Sequence, residues 1–176
     1  MPSRPDIYGE IRLPGIMIGT KDVRALFKQG RNAGPFLLVS RSCGLALDTA
    51  FAVDNGALPI MYPPHGRRQQ LWYLEPSGYT GEIHLVSAES GLALDSTVDP
   101  NGDKPLLWER NGAAWQRWTL HQAPDNVGYL IMSTLSSRAL VANESTQPHW
   151  NPWLEDRSGS WAQQWMLSIP HGGSIH

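Results

Sequence analysis

The chain has 176 residues, 41% of them hydrophobic and 17% charged, with a formal net charge of -2. That length builds one ordinary domain with its own core and is short for two; the 14 basic residues, scattered singly or in pairs, lack the clustering that nucleic acid or an anionic membrane requires of a partner. Cys43 is the only cysteine, which excludes an internal disulfide and leaves packing to hold the domain together. No apolar stretch approaches the ~18 residues of a membrane span, and residues 1–10 lack the basic-then-apolar pattern of a secretory leader. The expected setting is the cytoplasm, or export by an unconventional route.

Residues 1–35 read as an N-terminal extension. Residues 11–18 carry a Pro14-Gly15 turn signal among apolar residues and predict a short strand or an extended strap. Thr20 then reads as a helix N-cap, with Asp22 in the first turn, Ala25, Leu26 and Phe27 as apolar residues and Gly30 as the stop. Residues 30–35, rich in glycine and ending in proline, read as a linker. So short a segment cannot bury a core, and a strap packed on the domain surface is the expectation.

From Phe36 onward each of three units spells four short strands. In the first, 36–80, they are expected at 36–40, 45–48, 58–62 and 71–74. The second, 81–127, supplies 83–87, 92–95, 106–108 and 118–120, and the third, 128–170, supplies 129–133, 139–142, 153–154 and 165–168. Residues 171–176 form a tail. Turn residues such as Asp54-Asn55-Gly56 and Asn101-Gly102 separate the strands. Twelve short strands in three equal units predict a closed all-β body, because closure removes the edges that an open sheet of three units would leave exposed.

The units are a true internal repeat. Gly-x-x-x-Gln-x-Trp occurs at Gly66, Gln70 and Trp72, at Gly112, Gln116 and Trp118, and at Gly159, Gln163 and Trp165, with the glutamines 46 and 47 residues apart. Gly44-Leu45-Ala46-Leu47-Asp48 returns as Gly91-Leu92-Ala93-Leu94-Asp95, and Pro59, Pro105 and Pro152 keep the same period. Three residues after each proline stand Tyr62, Trp108 and Glu155. The third copy is worn, with Asn143 where the others have Asp48 and Asp95. Such units cannot bury their apolar faces singly and must close on one another. Alternation along the fourth strand sends each glutamine and its tryptophan inward, where the amide satisfies backbone groups of the turn.

These motifs, repeated in register over residues 36–170, resemble the ricin-B-type lectin family, whose fold is the β-trefoil. The resemblance implies a carbohydrate-binding protein, with sites built from an aspartate after the second strand of a repeat, an aromatic at the end of the third, and a polar group before the Gln-x-Trp glutamine. Carried onto this sequence, it points to Asp48, Tyr62 and Gln69 in the first repeat and to Asp95, Trp108 and Trp115 in the second; Asn143 and Glu155 match poorly in the third. The family's asparagine before the glutamine is replaced by Gln69, Trp115 and Ala162, and its glutamine two residues before the aromatic by Ile60 and Leu106. An ionised carboxylate accepts hydrogen bonds from neighbouring sugar hydroxyls, and an aromatic face packs on the C–H face of a pyranose.

Bland roles compete with these. Asp48 and Asp95 also suit turns, where aspartate satisfies backbone N–H groups. Trp150 and Trp153 suit either a cover for one end of the barrel or an exposed patch for a partner. Cys43 reads as an inert thiol, and His65, His84, His121, His149, His171 and His176 lack metal-ligand spacing. Neither a phosphate loop nor a catalytic dyad stands in the sequence, so no enzymatic activity, cofactor or metal is expected. The reading is a lectin for multivalent glycans, monomeric or homodimeric; the alternatives are a trefoil that binds or inhibits a protein, or a targeting unit beside an enzyme or toxin.

Overall fold

The computed structural model describes residues 30–99 and 101–170, with the backbone of 16 and 17. The helix expected after Thr20 and the tail at 171–176 lie outside the described residues. Strand β1 is Ile16–Met17. The first repeat holds β2 (Ala33–Ser40), β3 (Ala46–Asp48), β4 (Ile60–Tyr62) and β5 (Leu71–Pro76). The second holds β6 (Glu82–Ser87), β7 (Ala93–Asp95), β8 (Leu106–Trp108) and β9 (Trp118–Gln122). The third holds β10 (Tyr129–Ser133), β11 (Ala139–Val141), β12 (Trp153–Glu155) and β13 (Gln164–Ile169).

Each repeat gives its first and last strands to a closed barrel. Antiparallel pairing runs from β2 to β5, then to β6, β9, β10 and β13, and β13 returns to β2. The middle strands form three hairpins, β3–β4, β7–β8 and β11–β12. These are laced into a ring by loops from neighbouring repeats. The backbone of Gly56 and Ala57 bonds Leu107, Asp103 accepts from the N–H of Leu154, and the carbonyl of Trp150 accepts from Met61, whose own carbonyl accepts from His149. Met61, Leu107 and Leu154 are the same position of the repeat, so each third strand is held by the preceding repeat in a cyclic sense. The fold is a β-trefoil.

The core follows from the same period. Leu47, Leu94 and Leu140 lie fully inside with Met61, Leu107 and Leu154, and Trp72, Trp118 and Trp165 fill the space between them. The three indole N–H groups donate to the carbonyls of Leu47, Leu94 and Leu140 at 3.0, 2.9 and 2.9 Å. A buried tryptophan removes on the order of 150–250 Å² from water, about 4–6 kcal/mol as an upper bound. These three tryptophans are therefore among the largest single contributors to the apolar term, and each keeps its own indole N–H paired.

Three expectations need correction. Strand β2 begins at Ala33, inside the segment read as a linker, because Ala33 is buried opposite Leu74 and a bulge between Ala33 and Phe36 absorbs the Gly34-Pro35 pair. The third strand of the first repeat begins at Ile60 rather than 58; Pro59, just before it, has no N–H to offer a ladder. The glutamines of the Gln-x-Trp motifs do not open the fourth strands. Each ends a single 3-10 turn, Arg68–Gln70, Ala114–Gln116 and Trp161–Gln163, and extended backbone begins with the residue after it, so that the tryptophan but not the glutamine lies in the strand. Glutamine and tryptophan are nonetheless both buried, as expected.

Candidate functional site

The pairing of β7 with β8 sets Asp95 opposite Leu106 and Ala93 opposite Trp108. Side chains alternate across a strand, so Asp95, Leu106 and Trp108 share one face of the hairpin while Leu94 and Leu107 enter the core from the other. Asp95 ends its strand and turns the chain. Its Oδ1 accepts the N–H of Thr97 at 2.7 Å, which holds Thr97 at a φ of 69°. Its Oδ2 accepts Nε2–H of Gln116 at 3.1 Å.

Gln116 is the hub of the repeat. Its Nε2 also donates to the carbonyl of Glu109 at 2.9 Å, and its Oε1 accepts the N–H of Asn111 at 2.9 Å. The 3-10 turn that carries Gln116 presents Trp115, whose carbonyl accepts the N–H and Oγ–H of Ser96 at 2.7 and 3.0 Å. Trp108, 38% exposed, is backed by a loop of the first repeat. Asn55 Oδ1 accepts the N–H of Glu109 at 2.7 Å, and a Cβ on Gly56 would lie 3.8 Å from the Trp108 ring.

These elements enclose a pocket of about 390 Å³. Its apolar walls are Trp108, Trp115, Leu106 and Val98, and its polar groups are Asp95, Thr97 and Asn111. All three residues predicted for the second repeat thus converge on one cavity. Asp95 is only 3% exposed, and burial raises its carboxyl pKa above the ordinary value against the lowering effect of its bonds from Gln116 and Thr97. The turn-holding role of Asp95 is real, but it does not exhaust the group. Each oxygen accepts one bond, and a carboxylate has about four acceptor sites.

The same residues of the first repeat are arranged differently. Asp48 accepts Ala50 N–H at 2.6 Å and Gln70 Nε2–H at 3.0 Å. His65 then places its Nε2 3.6 Å from Asp48 Oδ2. The Tyr62 ring makes edge contacts with His65 and His149, at 5.9 and 5.1 Å between centroids. Gln69 is buried, and its carbonyl accepts the N–H of Thr49. Burial lowers the His65 pKa; Asp48 opposes that shift and Arg67 adds to it. Asp48 and Tyr62 are therefore already in company with histidine.

In the third repeat the hub has no carboxylate. Gln163 donates to the carbonyl of Asp156 and accepts from Ser158 and Gly159; Asn143 holds its own turn by accepting the N–H of Ser145. Glu155 is exposed and takes the indole N–H of Trp153 at 2.7 Å. Trp150 and Trp153 meet edge to face, with centroids 6.2 Å apart, and Trp150 packs on the core. Both are half-buried, which fits a cover for the barrel end.

The sequence reading missed Thr97, Val98 and Asn111. The repeat itself carried a signal for Asn111: His65, Asn111 and Ser158 stand five residues before their glutamines, and each gives its N–H to that glutamine's Oε1. Among the described residues no group of three or more His, Cys, Asp or Glu is placed to hold a metal ion.

Comparison with known proteins agrees with this geometry. The sequence model of the ricin-type beta-trefoil lectin domain matches residues 35–165. A designed threefold-symmetric protein, ThreeFoil, is 32% identical, over 77% of this chain and 99% of that chain, with a TM-score of 0.71. The exo-beta-1,3-galactanase 1,3Gal43A from Clostridium thermocellum is 27% identical over 77% of this chain, with a TM-score of 0.70; the match spans 30% of that longer enzyme. The Rhizoctonia solani agglutinin, 18% identical over 78% of this chain and 95% of that chain, shares the fold with a TM-score of 0.70. No curated protein matches at the level of sequence. The match over residues 35–165, with the three Gln-x-Trp hubs inside it, means that the chain belongs to the ricin-type beta-trefoil lectin domain family.

Proposed function

We propose that this protein binds carbohydrate and that its principal site is the pocket of the second repeat. The observation that carries the reading is the convergence of Asp95, Trp108 and Trp115 on a cavity of about 390 Å³, a volume within the usual range for small-ligand pockets. Asp95 accepts hydrogen bonds from sugar hydroxyls, and the indoles pack on the C–H face of a pyranose ring. Asp48, Tyr62 and Gln69 make a secondary site in which His65 stands between carboxylate and ligand. A single shallow site of this kind binds in the millimolar range, about 4 kcal/mol, and useful retention requires two sites on one multivalent glycan or two copies of the chain.

The proposed role is that of a binding module without chemistry of its own. The test is a glycan array probed with wild type, Asp95→Ala, Trp108→Ala and Asp48→Ala, each checked for folding by near-UV circular dichroism. Loss of retention in the first two variants, with a smaller loss in the third, is the expected pattern. Folded wild type that retains no glycan would reject the reading; equal retention by folded Asp95→Ala and Trp108→Ala would reject the site.

A further inference from the structure

The pocket of the second repeat holds a buried carboxylate for which the described residues supply no cation. Asp95 is bonded only by neutral donors, the backbone of Thr97 and the side chain of Gln116. The arginines closest to it along the chain are engaged elsewhere, Arg110 with Glu75 and Arg117 with Glu82. Asp48, at the same position of the first repeat, has His65 Nε2 at 3.6 Å. The second repeat puts Asn111 where His65 stands, and among the described residues Asp95 is the one titratable side chain lining the cavity.

A desolvated carboxylate without a counter-charge is costly, and a ligand that brings the charge recovers that cost on binding. The walls favour the same ligand. Trp108 and Trp115 both line the cavity, and indole is the best of the aromatic faces for attracting a cation.

We infer that this pocket selects a hexosamine with a free, protonated amino group, its ammonium on Asp95 and its pyranose face against an indole. An ammonium has three donors for the acceptor sites that Thr97 and Gln116 leave unused on Asp95, and the adjacent ring carbons are apolar enough to lie on tryptophan. N-acetylation removes the charge and adds bulk at the same atom. The inference rests on the carbohydrate-binding reading of the same pocket and names the sugar class.

The experiment titrates the full chain at pH 7 with methyl glycosides of glucosamine and galactosamine, of their N-acetylated forms, and of glucose and galactose. Binding is followed by the indole N–H resonances of Trp108 and Trp115, assigned from the spectra of Trp108→Phe and Trp115→Phe. At least one free amine should bind about tenfold tighter than its acetylated counterpart, and added salt should weaken the amine more than the neutral sugar. Asp95→Asn should reduce that preference to about twofold or less, while the comparison within wild type stands even if this variant is unstable. Acetylated or neutral sugars binding as well as the amines would overturn the inference and leave the lectin reading in place. Silence of both indoles toward every saccharide would overturn the inference and, with it, the assignment of this pocket as the principal site.

Discussion

Replacing Gln116 by leucine separates a hub that meets a carboxylate from one that does not. The substitution keeps the buried volume approximately and removes three hydrogen bonds, to Asp95, Glu109 and Asn111. The bond to a charged partner carries about 1.5–3 kcal/mol and the two backbone bonds about 0.5–1.5 each, so Gln116→Leu should cost about 2.5–6 kcal/mol. Against a typical total of about 5–15 kcal/mol, that brings the variant near the edge of folding. Gln163→Leu removes three bonds to Asp156, Ser158 and Gly159, all to neutral backbone groups, and should cost about 1.5–4.5 kcal/mol. Urea denaturation at pH 7 gives both losses from the shift in midpoint and the common slope. The gap between the variants should shrink at acid pH, where Asp95 is protonated. Equal losses at pH 7, or a larger one in Gln163→Leu, would refute the claim that the carboxylate is the extra partner.

Other consequences are open to simpler measurements. The folded pKa of Asp95 is raised above 3.8 by burial, so the unfolded chain ionises this group first. Its contribution to stability is therefore greatest below 3.8 and declines as pH rises to the folded value, whereas binding that needs the carboxylate grows over that range. Glycan retention measured against pH should fall on acidification above pH 3.8 while near-UV circular dichroism still reports native packing; loss of both together would count against a ligand role for Asp95. Asp125 behaves in the opposite sense, since its hydrogen bonds from Arg41 hold its pKa down. That pair stabilises above the ordinary carboxylate range and is lost as pH falls through the folded value. Because the Asp125 side chain is 48% exposed, Asp125→Asn should cost about 1 kcal/mol or less at neutral pH in a denaturant melt. Gly34→Ala should cost about 2 kcal/mol or more, read from a lowered urea midpoint, because φ is 114° and the new Cβ would lie 2.8 Å from the Trp72 carbonyl; an unchanged midpoint would show that the bulge adapts.

Much of this protein was legible in its sequence because the information is periodic. A Gln-x-Trp motif returning every 46 or 47 residues places three large side chains at equivalent points, and only a closed threefold body gives all three the same buried environment. The resemblance carried by those motifs also pointed to Asp95 and Trp108 together, and the pairing of β7 with β8 puts them on a common outer face. The errors arose where local composition and tertiary pairing disagree. Residues 33–35 have the chemistry of a loop, yet a partner strand captures them at Ala33, and the glutamines read as strand residues occupy 3-10 turns because their amides serve carbonyls and N–H groups on both sides of the bend.

What the tertiary structure alone decided is the inequality of the two candidate sites. In sequence, Asp48 with Tyr62 and Asp95 with Trp108 are equivalent pairs. The folded chain brings His149 from the third repeat onto Tyr62 and sets His65 beside Asp48, whereas Trp108 is backed by Gly56 of the first repeat and opens, with Trp115 and Val98, onto a cavity. Those neighbours come from other repeats or from across a turn. A repeat specifies its own strands and hub, and the residues lining the pocket all belong to the second repeat; what the neighbouring units decide is whether the aromatic stands open, as Trp108 does over Gly56, or is met by another ring, as Tyr62 is by His149.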